Sequence, residues 1–357
     1  MRSQEMSGNT FNPAASPGSL RHSSHSSLRI RRLNQGRGFV YKRSNDRAIR
    51  DQRVLTRIQR LAIPLAWSEV FICDRTDGHV QATGRDARGR KQYIYHPKWR
   101  HIRDRLKYAR LVAFARVLPR IRRRVQRDIR KPGLTKSKAL AAIVRLLEIG
   151  RIRVGNEEYA RTNRSFGLTT FRNRHVSIRG EKLHFQFRGK SGKHHSVELV
   201  DRRLARVVDR CRKTPGPELF QYLDEKREPR SINSGDVNEY LREITGGDFT
   251  AKDFRTWAGT VLASKALHAR RHCDSRSQTR RQLNLAIRIV AERLGNTPAI
   301  CRKSYIHPMV IDTYLSGRRV RPARIGSRQS RRQYPRGLSV AETEVLRLLQ
   351  AHPAPKT

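Results

Sequence analysis

Lysine and arginine outnumber aspartate and glutamate by 78 to 30, which leaves a formal net charge of +48 on a chain of 357 residues. Any compact fold must carry that excess near its surface, where it repels itself until a polyanion neutralises it. Nucleic acid is therefore the expected partner. A basic protein of membrane surfaces is the competing class. The sequence has no apolar run of about 18 residues, and no apolar stretch stands behind the basic N-terminus as a signal peptide would require. The chain reads as soluble and intracellular. Hydrophobic residues make up 36% of it, enough for true cores in two domains of ordinary size. The four cysteines, Cys73, Cys211, Cys273 and Cys301, are far apart and form no Cys-x-x-Cys pair, which argues against a disulfide framework or a zinc ribbon.

Periodicity divides the chain. Residues 1–27 are rich in Ser, His, Gly and Asn without sustained periodicity, and are expected to form a disordered basic arm. Residues 28–105 carry short β-like pieces, at 39–41, 67–73, 79–83 and 91–95, separated by Asp/Gly/Arg turns, and predict a small, mainly β domain. The period then becomes helical: Phe114, Leu118, Ile121, Val125 and Ile129 share one face, and the helix should stop at Pro132-Gly133. Thr135 can cap a second helix carrying Leu140, Ile143, Val144 and Leu147, closed by Gly150.

Residues 166–200 alternate instead, with Val176 and Ile178, then Leu183, Phe185 and Phe187, then Val197 and Leu199. This predicts a three-stranded meander with Gly180 in its first turn and Lys190 in its second. Helices are expected near 201–212 and 234–244, and another from Thr250, with Phe254, Trp257, Ala258, Val261 and Leu262 as its buried stripe and Arg255 off that stripe. Leu283, Ile287, Val290 and Leu294 mark a further helix that Gly295 can stop, and Thr297-Pro298 restarts a short one expected to hold Tyr305. Residues 317–336 contain eight arginines and no acid, and Ser339 with Glu342 caps a last helix. The fold class is α+β: a small β-rich N-terminal domain at 28–105, a larger, mainly α domain with a β meander at 106–316, then an Arg-rich linker and C-terminal helix at 317–357.

The chemistry concentrates on one tyrosine. Tyr305 stands nine residues after Asn296 and fifty after Arg255. A tyrosine behind a helix junction, with arginine and lysine available, suits attack on a phosphodiester, whose developing negative charge must be met by fixed donors. Arg153 and Arg255 suit the non-bridging oxygens. A lysine on a hairpin turn can reach along a groove to protonate a leaving 5′ oxygen, which makes Lys190 the candidate acid; Lys252, one helical turn before Arg255, is the second. The tyrosine must lose its proton during attack, and neighbouring cations favour the anion.

Five segments in order resemble the type IB DNA topoisomerases of the bacterial and poxvirus-like branch, over about residues 30–349: GRDARGRKQYIY at 84–95, RIRVG at 151–155, FRGK at 187–190, KDFRT at 252–256 and LGNTPAICRKSY at 294–305. The resemblance implies a catalytic domain of the tyrosine recombinase/topoisomerase IB type. By position it implies that Tyr305 forms a 3′-phosphotyrosyl bond, that Arg153 and Arg255 hold the scissile phosphate, that Lys190 is the general acid and that Lys252 assists. Asn296 stands where poxvirus and eukaryotic members usually have histidine, so an amide would replace an imidazole on a phosphate oxygen. From the N-terminal domain, Arg90, Lys91, Gln92, Tyr93 and Tyr95 match a DNA-contacting stretch, and Tyr159 matches a tyrosine beside the backbone. The implied enzyme is a monomer clamped around duplex DNA, cytoplasmic or nucleoid-associated, with no metal, nucleotide or other cofactor and no membrane.

Each residue also has a structural reading. Arginine in so basic a chain is commonly a solvated or phosphate-contacting group; Asn296 suits a turn; Tyr305 could be a packed aromatic; Tyr93 and Tyr95, two apart on a strand, share a face that could be core. Gly189-Lys190-Ser191 is no phosphate-binding loop, because His184 occupies the first glycine position and the segment lies between strands. His268, His272 and Cys273 lack a further ligand cluster. The rival functions are a tyrosine recombinase, which shares the chemistry, and a non-enzymatic DNA-compacting protein. Lysine at 252, where recombinases usually carry histidine, favours the topoisomerase.

Overall fold

In the computed structural model, residues 20–23, 27–36, 38–87, 89–269, 275–317 and 335–351 are described. The expected arm at 1–27 and the arginine stretch at 317–336 lie almost wholly outside them, as do His272 and Cys273. The chain divides into two compact units, Met1–Lys107 and Tyr108–Thr357.

The first unit is built on an antiparallel sheet in the order β2-β1-β3-β4-β5, with β1 at Ile30–Gln35, β2 at Gly38–Arg43, β3 at Ser68–Ile72, β4 at Val80–Arg85 and β5 at Lys91–Tyr95. A helix absent from the β reading, α1 at Gln52–Arg60, starts where the Asp51 side chain accepts the Arg53 N–H at 2.8 Å. Ile58 of α1 packs with Ile30, Val70, Ile72 and Ala82. A second helix, α2 at Pro97–Ile129, begins inside the segment expected to be β-rich. On β5, Ile94 joins the core while Tyr93 is 44% exposed and stacks on Tyr95 at 5.9 Å, with Lys91 Nζ 5.7 Å above the Tyr93 ring. The two tyrosines therefore share the face away from the core.

The second unit takes up α2 from Tyr108 onward and adds α3 (Lys136–Ile149), α4 (Glu157–Asn163), the sheet β6-β7-β8 (Val176–Arg179, Lys182–Arg188, His194–Val200), α5 (Arg202–Lys213), a small hairpin of β9 (Gln221–Leu223) and β10 (Pro229–Ser231), α6 (Ser234–Thr245), α7 (Ala251–His268), α8 (Arg276–Leu294), α9 (Pro298–Ser304), α10 (Pro308–Leu315) and α11 (Val340–Ala351). Local chemistry sets most of these boundaries. Thr135 accepts the Lys138 N–H at 3.3 Å, Thr250 and Asp253 form a capping box, and Gly295 stops α8 at φ +59°. The α2 stripe, with Phe114, Leu118 and Ile121, packs with Ile143 and Leu146 of α3, Phe171, Phe185 of β7, Phe220 and Trp257 of α7 in one core. Each such side chain contributes about 1.5–3 kcal/mol by leaving water.

Helix α11 is held by ionic as well as apolar contacts. Arg122 donates to Glu148 at 2.6 Å and to Glu342 at 2.7 Å, and Trp257 Nε1 donates to Glu342 at 3.2 Å. Burial would raise the Glu342 carboxyl, but Arg122 and the Ser339 N–H hold it below the usual carboxylate range.

His175 is buried between Phe166 and Phe171, and its Nδ1 accepts the Arg172 N–H at 2.9 Å. Burial, reinforced by Arg174 and Arg172, pushes its pKa down to about 4. The folded state then binds fewer protons than the unfolded state between that value and the ordinary histidine range near 6.5. Its contribution to stability is complete above that range and is lost as pH falls toward 4. Thermal unfolding followed from pH 7.5 to 4 should show a falling midpoint below pH 6.5, and His175→Asn should lower the midpoint at pH 7.5 while flattening that fall.

Candidate active site

Four of the six residues predicted to carry the chemistry meet in the second unit. Arg153 lies in the segment after α3, where its carbonyl accepts the Leu168 N–H at 2.9 Å. Its Nη2 donates to Asn296 Oδ1 at 2.6 Å, and its guanidinium interacts electrostatically with the Tyr305 side chain. Burial and the nearby Arg255 lower its pKa to about 10, against the opposing pull of Tyr305. The group remains a cation at neutral pH.

Arg255 is a correction to the sequence reading. Expected off the buried stripe of α7, it is only 5% exposed. Its guanidinium donates to the Arg151 carbonyl and, at 2.8 Å, to the Leu294 carbonyl, so two backbone acceptors replace the water it loses. Its Cζ lies 5.2 Å from the centre of the Tyr305 ring, and its Nε is buried with no hydrogen-bond partner among the described residues.

Tyr305 itself lies one residue beyond the helix expected to hold it, as the C-cap of α9. Three elements fix its backbone. Its N–H donates to the Cys301 carbonyl at 2.9 Å. The Tyr108 hydroxyl of α2 lies 3.2 Å from the Lys303 carbonyl and 3.1 Å from that of Ile306. Thr260 of α7 accepts the His307 N–H at 3.2 Å and stands 3.3 Å from the Tyr305 carbonyl. Asn296 is in the turn between α8 and α9, and its Nδ2 makes only a long contact, 3.4 Å, with the Leu294 carbonyl.

Lys190 and Lys252 are exposed, on the β7–β8 turn and the first turn of α7, and no hydrogen bond or ion pair among the described residues joins either to this cluster. Tyr159 is exposed on α4. Gln92 and Arg90, in the first unit, both bind Asp86, at 2.9 and 2.8 Å.

Sequence reasoning passed over several neighbours of the site. Lys193 and His195 flank the cluster from β8 and its turn: both Arg153 and Arg255 act on His195 electrostatically, and Lys193 acts with them on the buried Cys301 thiol, which burial raises to about 11. Gly259 is the other omission. A Cβ there would stand 2.6 Å from the Tyr305 carbonyl oxygen, so α7 can approach the tyrosine only through a glycine. The signal was present, since glycine is unfavourable in a helix interior by about 1 kcal/mol.

A buried and a half-buried guanidinium group beside a tyrosine form a constellation for handling a phosphate ester, and the comparisons agree. Residues 96–319 match the model of the eukaryotic DNA topoisomerase I catalytic core, and residues 38–86 match that of the bacterial DNA topoisomerase IB N-terminal domain. The chain belongs to the type IB DNA topoisomerases, enzymes that bind DNA and relax its supercoils. It is 29% identical to a DNA topoisomerase 1B of Acanthamoeba polyphaga mimivirus over 80% of this chain and 87% of that one. With the DNA topoisomerase 1B of Vaccinia virus (strain Copenhagen) it shares 24% identity over 71% of this chain and 80% of the relative. Among the described residues no helix is long and apolar enough to cross a membrane.

Gly259→Ala should lower relaxation of supercoiled plasmid about 10²-fold, the scale of effect that a 1 Å misplacement produces. Gel retardation of duplex DNA should be unchanged. Because alanine is the better helix former, unaltered relaxation would mean that Tyr305 tolerates displacement.

Proposed function

We propose that this enzyme relaxes DNA by cutting one strand through Tyr305, forming a 3′-phosphotyrosyl ester and resealing it, without ATP or metal. The observation that carries the reading is the Tyr305 ring lying under Arg255, with Arg153, bonded to Asn296, close enough to interact electrostatically with the same tyrosine. In the forward step the Tyr305 oxygen bonds to phosphorus as its proton leaves, and the bond from phosphorus to the 5′ oxygen breaks. That oxygen takes a proton from Lys190, with Lys252 assisting. Arg153, Arg255 and the Asn296 amide meet the charge that grows on the non-bridging oxygens. The ester retains about the energy of the diester it replaced, so the freed 5′ hydroxyl reverses the step with no nucleotide hydrolysis. Between the two steps the cut end swivels about the intact strand.

Arg90, Lys91, Gln92, Tyr93, Tyr95 and Tyr159 are the proposed contacts to duplex DNA, supported by the exposure of Tyr93 and Tyr159. A single chain closing on the duplex, acting in the cytoplasm or nucleoid, completes the reading.

Relaxation of supercoiled plasmid is expected in EDTA without ATP, and a need for either a metal or a nucleotide would overturn the cofactor-free mechanism. A compacting protein would leave linking number unchanged, and a recombinase would require target sites. Tyr305→Phe should retain DNA binding and yield no covalent adduct in detergent; an adduct in that variant would remove Tyr305 as nucleophile. Arg153→Ala and Arg255→Ala should each slow cleavage about 10²-fold or more, as loss of one oxyanion donor does.

A further inference from the structure

His195 is a polar side chain beside the arginine cluster to which the mechanism gives no work. It leaves β8 opposite Phe187 and lies flat on that ring, centroids 5.0 Å apart and planes 12° from parallel. Two glycines make room for it. A Cβ at Gly189 would stand 2.6 Å from His195 Cδ2, and one at Gly295 would stand 2.1 Å from His195 Cε1. The ring therefore occupies the gap between the β7–β8 turn and the α8–α9 junction, at the edge of a cleft of about 500 Å³ that Lys193, Arg288 and Asn296 also line.

The residues after those glycines are Lys190 and Asn296. The turn that carries Lys190 is closed by Gly189 N–H to the Lys193 carbonyl at 2.8 Å and by Gly192 N–H to the Gly189 carbonyl at 3.1 Å, so a shift at Gly189 moves the lysine with it. Packing alone would be better served by another residue. His195 Nε2 is buried without a hydrogen-bond partner among the described residues, an unfavourable arrangement that a phenyl ring would avoid. Burial, Arg153 and Arg255 depress its pKa to about 4, with Lys193 and His194 adding to the effect. A neutral ring can pack between the two glycines beside those guanidinium groups without adding to their repulsion.

We propose that His195 is a positioning residue for Lys190, a spacer that sets the lysine-bearing turn against the Asn296 junction so that the lysine meets the departing 5′ oxygen. The assignment rests on the reading of Lys190 as general acid. It predicts a defect confined to leaving-group protonation, which a substrate can bypass.

The test uses single-turnover cleavage of two duplexes, one ordinary and one with sulfur in place of the bridging 5′ oxygen at the scissile phosphate, because a thiolate departs without a proton. Lys190→Ala should slow the ordinary duplex about 10²-fold or more, and His195→Ala about 10- to 10²-fold. Both should cleave the sulfur duplex at close to the parent rate, whereas Arg153→Ala should remain slow on both. Gly189→Ala provides a second route: its backbone, at φ −99° and ψ −163°, accepts alanine without strain, and the new methyl pushes on the His195 ring. It should give the same sulfur-rescued defect, and keeps the test valid if His195→Ala fails to fold. Rescue of Lys190→Ala without rescue of His195→Ala or Gly189→Ala would overturn the positioning role. Failure of sulfur to rescue Lys190→Ala would remove the general-acid reading, and the role of His195 with it. The double variant should be no slower than Lys190→Ala, and multiplied defects would also overturn the proposal.

Discussion

The Arg255 guanidinium holds the site together. It is a cation inside the second unit with no carboxylate partner among the described residues, and its hydrogen bonds go to the carbonyls of Arg151 and Leu294. Those carbonyls belong to the segment that presents Arg153 and to the helix end that presents Asn296, and the same guanidinium lies over the Tyr305 ring. One side chain thus ties three chain segments together, its two carbonyl partners lying 104 residues before it and 39 after it. The arrangement uses strained backbone: Arg151 offers its carbonyl from φ +54°, in the left-handed region, where a non-glycine residue costs of order 1–3 kcal/mol. Carbonyl acceptors leave the full positive charge in place, which a carboxylate would have cancelled.

That choice has an electrostatic consequence. Arg153 and Arg255 repel each other, enough to lower the Arg153 pKa, and the neutral oxygen of Asn296 takes the Arg153 hydrogen bond where an acid would have neutralised it. Cys301, four residues before the tyrosine, is a buried thiol held well above its usual range and adds no negative charge at neutral pH. Every neighbour thus preserves a field that favours an anion and does not need to reorganise when one arrives. The stabilising balance lies elsewhere in the unit, in the apolar core around Phe114 and Phe185 and in the Arg122 bridge to Glu148 and Glu342.

How far the sequence disclosed this depends on the range of the interaction. Caps and turns act over a few residues, so Thr135, Thr250, Gly295 and Thr297 could be located from their neighbours alone. The meander was legible because strand alternation has a period of two. Arg255 was misplaced because helical periodicity sorts side chains by polarity, whereas its burial depends on carbonyls 104 and 39 residues away. Tyr305 fell one residue beyond its helix because the Ile306 N–H turns back to the Cys301 carbonyl at 3.1 Å and ends the helical ladder there. Helix α1 was missed among β-like pieces, although Val54, Ile58 and Leu61 have helical spacing. Gly259 and His195 act through contacts with segments distant in sequence, and nothing local marks an imidazole as a wedge between two glycines.

The surface charge and the buried charge serve different ends. A net +48 can attract any phosphate backbone through counterion release, without reading sequence and without fixing one phosphate against one nucleophile. Registration to a fraction of an ångström requires donors that have already lost their freedom, as Arg153 and Arg255 have through their hydrogen bonds to Asn296 and to the Arg151 and Leu294 carbonyls. Lys190 and Lys252 are exposed, which suits the proton-donor role proposed for them, since such a donor must reach the leaving oxygen and then let the strand move. A held pair of guanidinium groups with exposed ammonium groups at the margin therefore suits the proposed reaction, in which the cut strand swivels before the bond is restored.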